Sequence, residues 1–331
     1  MGSALFAAIS GSSAATTATV GKITIAELEK RNYSKMLAYG SLAGAGSLGL
    51  LIPPSIVMIV YGVLAEVSIS RLFAAGVVPG LMIASLYAGY VMIVSLMYPD
   101  VAPPDRERPG LKEMGKGLID LIPIAILIFI VLGSIYSGIA TPSEAAAVGV
   151  VATLIMTLLT GQMSRDVFFG TLVSSVQTSC MIAAILIAAA FLSTAMGFLH
   201  VPQDVANAIG SLDLSPYQLI FILAIFYVIL GMFVEGISIT VMSLPITLPL
   251  IPAAGFDPIW FGICLVIMVE LAQITPPVGF NLFIIQGLTG TPIMRVALAA
   301  LPFFILMCVG VVILTIFPDI ALWLPNLLFN K

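Results

Sequence analysis

Gly46-Ser-Leu-Gly-Leu-Leu-Ile-Pro-Pro-Ser55 lies in the middle of an apolar run, 36–62, that is long enough to cross a membrane. Pro53 and Pro54 remove two backbone N–H donors and push the residue before them out of helical geometry. Gly46 and Gly49 loosen the same turn. In lipid, open backbone is tolerated only where it is buried in protein or lines a wet cavity. The stretch therefore reads as a helix broken for a purpose. The same device returns at Gln273-Ile-Thr-Pro-Pro-Val-Gly-Phe-Asn281, inside a second long apolar run, 259–286.

The two copies are in register. An offset of 223 takes Pro53 and Pro54 to Pro276 and Pro277, Pro79 to Pro302, and Tyr33-Ser34 to Phe256-Asp257. Upstream, Gly11-Ser12-Ser13 falls near the equivalent of Glu235-Gly236-Ile237-Ser238, with the offset drifting to 225. A repeat of this kind, with interrupted apolar segments at matching places in its two halves, points to a transporter binding site.

Composition agrees. Hydrophobic residues make up 60% of the chain and charged residues only 8%, where an ordinary soluble domain carries about 25% charge. This is a polytopic membrane protein, and nothing in it points to a nucleic-acid partner. Cys180, Cys264 and Cys308 are far apart within apolar runs and read as small buried hydrophobes. His200 is the only histidine, and no metal-ligand spacing exists. There is no G-x-x-x-x-G-K-[ST] phosphate loop. Residues 1–9 are apolar without a basic leader and run straight into a hydroxyl-rich tip, so the chain reads as beginning inside a structural element, as a truncated chain would.

We divide the chain into a first repeat, 1–98, a cytoplasmic linker, 99–117, and a second repeat, 118–331. The first repeat holds a hairpin with its tip at Gly11 to Thr19 and its returning arm at 14–26, a charged surface loop at 27–35, the first broken span, and a full span at 73–98. Ser68 to Arg71 is a short connection. In the second repeat, spans at 118–138 and 143–160 are separated by Thr141-Pro-Ser-Glu144, a capping box with proline at the first helical position. A run at 170–199 precedes an amphipathic segment bracketed by 200–204 and 211–216. A second hairpin follows, with arms at 217–234 and 239–251 and its tip at Glu235 to Ser238. The second broken span and a last span, 296–318, end in an interfacial anchor at Leu322 to Pro325. Lys22, Lys30, Arg31 and Lys35, then Arg106, Arg108, Lys112 and Lys116, then Arg165, fall on one side, which makes that side cytoplasmic and the repeats inverted. Arg71 and Lys331 fall on the other.

Two tips and two breaks meeting near the midplane make a site without charged side chains. Helix N-termini suit an anion. Unwound carbonyls, with the hydroxyls of Ser12, Ser13, Thr16, Ser238, Thr240 and Thr275, suit a hard monovalent cation such as Na⁺. The alternative is packing, because small residues let membrane helices approach closely. Asn281 reads equally as a helix–helix hydrogen bond. Glu235 and Glu270 are the intramembrane acids, functional candidates by their cost in lipid, for proton coupling among other roles, with a place close to an interface or a hydrogen bond within the bundle as the alternative.

The motifs Phe6-Ala-Ala-Ile-Ser-Gly-Ser-Ser-Ala-Ala-Thr16, Gly49-Leu-Leu-Ile-Pro-Pro-Ser55, Phe73-Ala-Ala-Gly-Val-Val-Pro-Gly80, Gly138-Ile-Ala-Thr-Pro-Ser-Glu-Ala-Ala-Ala147 and Ile274-Thr-Pro-Pro-Val-Gly-Phe-Asn-Leu282 resemble the large membrane subunit of tripartite ATP-independent periplasmic (TRAP) transporters. The resemblance covers essentially the whole chain, without the spans that precede the first tip in that family. It implies an all-α, elevator-type secondary transporter of inverted repeats with two re-entrant hairpins and two discontinuous helices, in a bacterial or archaeal inner membrane. It implies a sodium gradient as the driving force, no other cofactor, a small membrane subunit, and a periplasmic binding protein that delivers an organic acid such as a C4-dicarboxylate or sialic acid. The positions carried over are Ser10, Gly11, Ser12, Ser13 and Thr16 at the first tip, and Gly49, Pro53, Pro54 and Ser55 at the first break. Gly236, Ser238 and Thr240 belong to the second tip, and Thr275, Pro276, Pro277, Gly279 and Asn281 to the second break. Na⁺ is expected at Ser12, Ser13, Gly49, Gly236 and Thr275. Gln273 departs from the glycine or apolar residue of many members and leaves the substrate class open. The alternatives are a standalone sodium–anion symporter, a passive channel, and an intramembrane enzyme using Glu235, Glu270 or His200; the last lacks a nucleophile–base constellation.

Overall fold

A computed structural model describes residues 2–103, 111–210 and 214–329. Among them there is no strand, and the protein is an all-α polytopic membrane protein. Among the described residues four helices are long and apolar enough to cross a membrane: α5 (Ile69–Met97), α7 (Pro142–Leu159), α8 (Arg165–Phe198) and α15 (Ile293–Ile316). Contacts divide the chain into two compact units, Met1–Pro104 with Leu192–Lys331, and Asp105–Phe191.

The first unit opens with a hairpin, α1 (Gly2–Ser10) and α2 (Ser13–Lys30), then α3 (Lys35–Gly46), a 3-10 turn (Ser47–Gly49), α4 (Ile56–Leu64) and α5. It resumes at Leu192, in the last turns of α8, and continues with α9 (Val201–Gly210), α10 (Pro216–Gly231), α11 (Gly236–Thr247), α12 (Leu250–Ala253), α13 (Pro258–Gln273), α14 (Phe280–Thr289), α15 and α16 (Asp319–Phe329). The break between α3 and α4 and the break between α13 and α14 fall where the paired prolines put them. Both Pro–Pro bonds are cis. Pro79 and Pro302 lie inside α5 and α15.

The centre of this unit is α13. It begins at Pro258 behind Asp257, whose carboxylate accepts the Ile259 amide at 2.7 Å. Every residue from Ile259 to Gln273 is buried. A helix that is apolar all round belongs inside. In a membrane, where lipid is as apolar as leucine, it is held by close packing. Trp260 is wholly buried, and its indole N–H donates to the Leu314 carbonyl on α15 at 2.9 Å. Around it, α3 packs against α15 and α16 packs along α5. At the exposed end of α2, the Arg31 guanidinium donates to Glu27 at 2.7 Å and holds that carboxyl below its ordinary value.

In the second unit α6 (Leu111–Tyr136) packs against α7, with α8 following. Thr141 and Glu144 form the expected capping box: each satisfies the other's backbone N–H.

Several boundaries differ from the sequence reading. The charged stretch 27–35 is helical to Lys30, because α2 runs on until its charged end reaches the surface. The connection Ser68 to Arg71 is the start of α5, with Ser68 as its N-cap. The segment Leu322 to Pro325 is part of α16 and is pinned to α5 where Arg71 Nη2 donates to Asn326 Oδ1 at 3.2 Å. The amphipathic segment is α9. The centre of the expected linker, 104–110 with Arg106 and Arg108, lies outside the described residues, as do 211–213 and Lys331, and the side chains of Lys112 and Lys116.

Trp260→Ala, which empties the largest fully buried site, is expected to cost about 3–5 kcal/mol. In detergent it should lower the thermal midpoint strongly, whereas Trp323→Ala, on an exposed side chain of α16, should leave the midpoint close to wild type.

Candidate transport site

The two hairpins and two breaks come together within the first unit. At the first tip Ser12 is the N-cap of α2 and accepts the Ala15 amide. Around it, the Thr16 hydroxyl donates to the Ser12 carbonyl at 2.8 Å, and the hydroxyls of Ser10 and Thr16 are 2.7 Å apart. Gly11 is left-handed (φ +57°), which turns its carbonyl toward the first break. That carbonyl accepts the Ile56 amide at 3.3 Å, just beyond the paired prolines. Ser55, wholly buried, caps α4 by accepting the Met58 amide.

The second tip and break repeat this arrangement. Glu235 is the N-cap of α11 and accepts the amides of Ile237 and Ser238. The Val278 amide, just beyond the second pair of prolines, donates to the Met232 carbonyl of the second tip at 3.3 Å. Each break is thus tied to the tip of its own hairpin. Glu235 stands 223 residues after Ser12, and Asp257 stands 223 after Ser34, both pairs being N-caps. The expected drift of the offset to 225 is therefore corrected. The tip itself is Met232 to Glu235. Gly236, Ser238 and Thr240 lie inside α11, because the Glu235 carboxylate starts the helix at Gly236, three residues before the arm expected at 239. Thr240 donates to the Gly236 carbonyl, and Thr275 to that of Leu271, at 2.9 and 2.7 Å.

The repeats also cross. α2 of the first hairpin packs against α14 of the second break, and α11 of the second hairpin packs against α4 of the first. Asn281 Nδ2, on α14, donates to Ser13 Oγ at 2.7 Å. Ser13 also meets Glu270 of α13, at 2.9 Å. So Asn281 is a helix–helix hydrogen bond that runs between the two halves of the candidate site. Gly279, left-handed, opens α14 without any side-chain cap, unlike the other three helix starts. His200 and Glu66 take no part in this cluster; they occupy left-handed positions at helix ends. Sequence reasoning missed the buried polar residues Thr17, Ser47 and Tyr87. Ser47 donates to the Gly44 carbonyl at 2.6 Å and lies 3.5 Å from the Tyr87 hydroxyl. Their only signal was a hydroxyl inside an apolar run.

Residues 1–320 match the family model described as the tripartite ATP-independent periplasmic transporter, DctM component. The chain is similar to the C4-dicarboxylate TRAP transporter large permease protein DctM of Pseudomonas aeruginosa, at 38% identity over 97% of this chain and 75% of that protein. It is also similar to the isethionate TRAP transporter permease protein DctMQ of Oleidesulfovibrio alaskensis, at 34% over 96% of this chain and 50% of that protein. A third relative is the ectoine/5-hydroxyectoine TRAP transporter large permease protein UehC of Ruegeria pomeroyi, at 33% over 99% and 76%.

A side chain on Gly49 would place its Cβ 2.6 Å from the Ser12 carbonyl oxygen and 2.8 Å from Ser13 Cα, both backbone. Gly49→Ala should therefore push the tip off the break and lower stability by about 1–3 kcal/mol, measured by thermal unfolding in detergent. Gly89→Ala, in open space on α5, should not lower it.

Proposed function

The chain belongs to the DctM component family of the tripartite ATP-independent periplasmic transporters, and from that membership we propose that it is the carrier for Na⁺-driven uptake of an organic acid. It is a membrane protein of solute uptake and not an enzyme. The observation that carries the finer reading is the pair of Pro-Pro breaks, each tied by one hydrogen bond to its own hairpin tip. Such half-helices bring amides and carbonyls to the interior, where lipid would forbid them.

No lysine or arginine stands in either tip or either break. The acid's charge would then be met by hydroxyls, by the uncapped start of α14, and by co-bound cations. Ser12, Ser13, Gly49, Gly236 and Thr275 are the positions we assign to Na⁺. The Thr275 hydroxyl spends its hydrogen on Leu271 and keeps its lone pairs for a cation. The hairpins and breaks would move as one body, with the repeats inverted about the site in the inner membrane. Each Na⁺ entering down 100 mV supplies about 2.3 kcal/mol. Two support roughly a 2,000-fold gradient of a neutral substrate, at about 1.4 kcal/mol per tenfold, so no ATP is required.

The relatives named for C4-dicarboxylates, isethionate and ectoine set the candidate substrates. As in those tripartite systems, a small membrane subunit and a periplasmic binding protein would complete the machine. The test is uptake in proteoliposomes holding the permease with its small subunit and binding protein. Labelled succinate, isethionate and ectoine are each followed with and without an inward Na⁺ gradient. Accumulation of one of them should need both Na⁺ and the binding protein, and Ser12→Ala or Thr275→Ala should raise the Na⁺ required about tenfold (1.4 kcal/mol). Sodium-driven uptake without a binding protein would replace the reading with a standalone symporter. Flux that neither saturates nor needs Na⁺ would replace it with a channel.

A further inference from the structure

Gln273 is the last residue of the buried helix α13 and stands just ahead of the second pair of prolines. It is only 3% exposed. Val269 and Gln273 are one turn apart and share a face of that helix. Both look onto Gly236, the first residue of α11. A Cβ on Gly236 would lie 2.8 Å from Val269 Cγ1, 3.2 Å from Gln273 Nε2 and 3.6 Å from Leu50 Cδ1. The Gln273 amide therefore stands where the start of the second hairpin's returning arm meets both breaks.

A side-chain amide carries two N–H donors and a carbonyl acceptor. Among the described residues no group hydrogen-bonds to the amide of Gln273. Of the hydroxyl, amide and carboxyl side chains buried among those residues, only Gln273 and Thr17 make no hydrogen bond. The Thr17 hydroxyl is sealed against Gly46. The Gln273 amide is not sealed. Turning the amide over exchanges its two ends and leaves both free. An unpartnered amide in so buried a place is costly, and a methionine or leucine of similar size would pack there without that cost. A ligand that supplies the partners removes it.

We propose that Gln273 reads the substrate, and that the substrate is an organic acid that also carries a hydrogen-bond donor, a hydroxyl or an N–H. This rests on the carrier reading above. An ionised acid group only accepts. It can use the N–H groups of Gln273 but leaves the carbonyl oxygen empty. A hydroxyl or an N–H fills that oxygen. A site built to hydrogen-bond such a group rejects the analogue that lacks it, because the site's own polar atom is then left unpaired. Among the acids for which the relatives are named, isethionate has the hydroxyl and ectoine the N–H. A plain dicarboxylate such as succinate has neither.

The test is equilibrium binding to the whole permease with its small subunit, in lipid nanodiscs at saturating Na⁺. No binding protein is added, so the selectivity read is the permease's own. The ligands are matched pairs: malate with succinate, isethionate with ethanesulfonate, and ectoine with its N-methylated derivative. In the wild type the tightest ligand should carry the donor and bind about tenfold tighter than its partner (1.4 kcal/mol). Gln273→Met keeps the volume and loses both polar groups. It should bring the members of that pair within about twofold of each other, by weakening the one with the donor. A wild type that binds the donor-free member equally tightly overturns the proposal, and that result needs no variant to fold. A ratio unmoved by Gln273→Met overturns it too, since a residue that only packs against Gly236 would weaken both members alike. In either case the organic-acid reading stands, because acids bind. If no acid binds, that reading fails and the role of Gln273 falls with it.

Discussion

Two pairs of prolines open two helices inside a membrane protein, and the amides they set free must find partners within the protein. No water in the hydrocarbon can take them, and each one left alone costs several kcal/mol. The amides of Ile56 and Val278 go to the tips of the two hairpins, at Gly11 and Met232. The amide of Leu50 goes to Glu270. The hairpins are therefore not appendages of a bundle. They are the acceptors that allow the broken helices to exist, and the close approach of Gly49 to the Ser12 carbonyl is the steric side of the same requirement.

The requirement also explains why the halves interlock. A hairpin tip seated in a break brings its returning arm alongside the helix beyond the other break, α2 against α14 and α11 against α4. Between them runs α13, too apolar for any surface role yet carrying Glu270 and Gln273 near its end. Ser13, Glu270 and Asn281 join residues from both repeats within a few ångströms. A body tied in this way suits the proposed carrier, which would take its site across the bilayer as one unit.

The two halves are alike in backbone and unlike in chemistry. At the matching N-caps, one tip uses Ser12 and the other Glu235. A hydroxyl satisfies one amide, while the carboxylate reaches two. Glu235, one of the two candidate acids, starts a helix. Glu270, with no helix start to cap, lies at the junction.

The amino-acid sequence by itself determined the class, the broken helices, the repeat and the capping box at Thr141. Each of these follows from local rules: apolar run length, the missing N–H of proline, and the reach of a side chain over three residues. Helix ends were legible only to within a few residues, as at Lys30 and Ser68, because the last turn depends on what the neighbouring elements satisfy. The partners of Glu270, Ser13 and Asn281 could not be read at all. They stand up to 268 residues apart in the chain, and no periodicity encodes a contact of that separation. Tertiary packing alone decided which of the two acids caps a helix and which lies wholly buried against a serine that must share its single hydrogen.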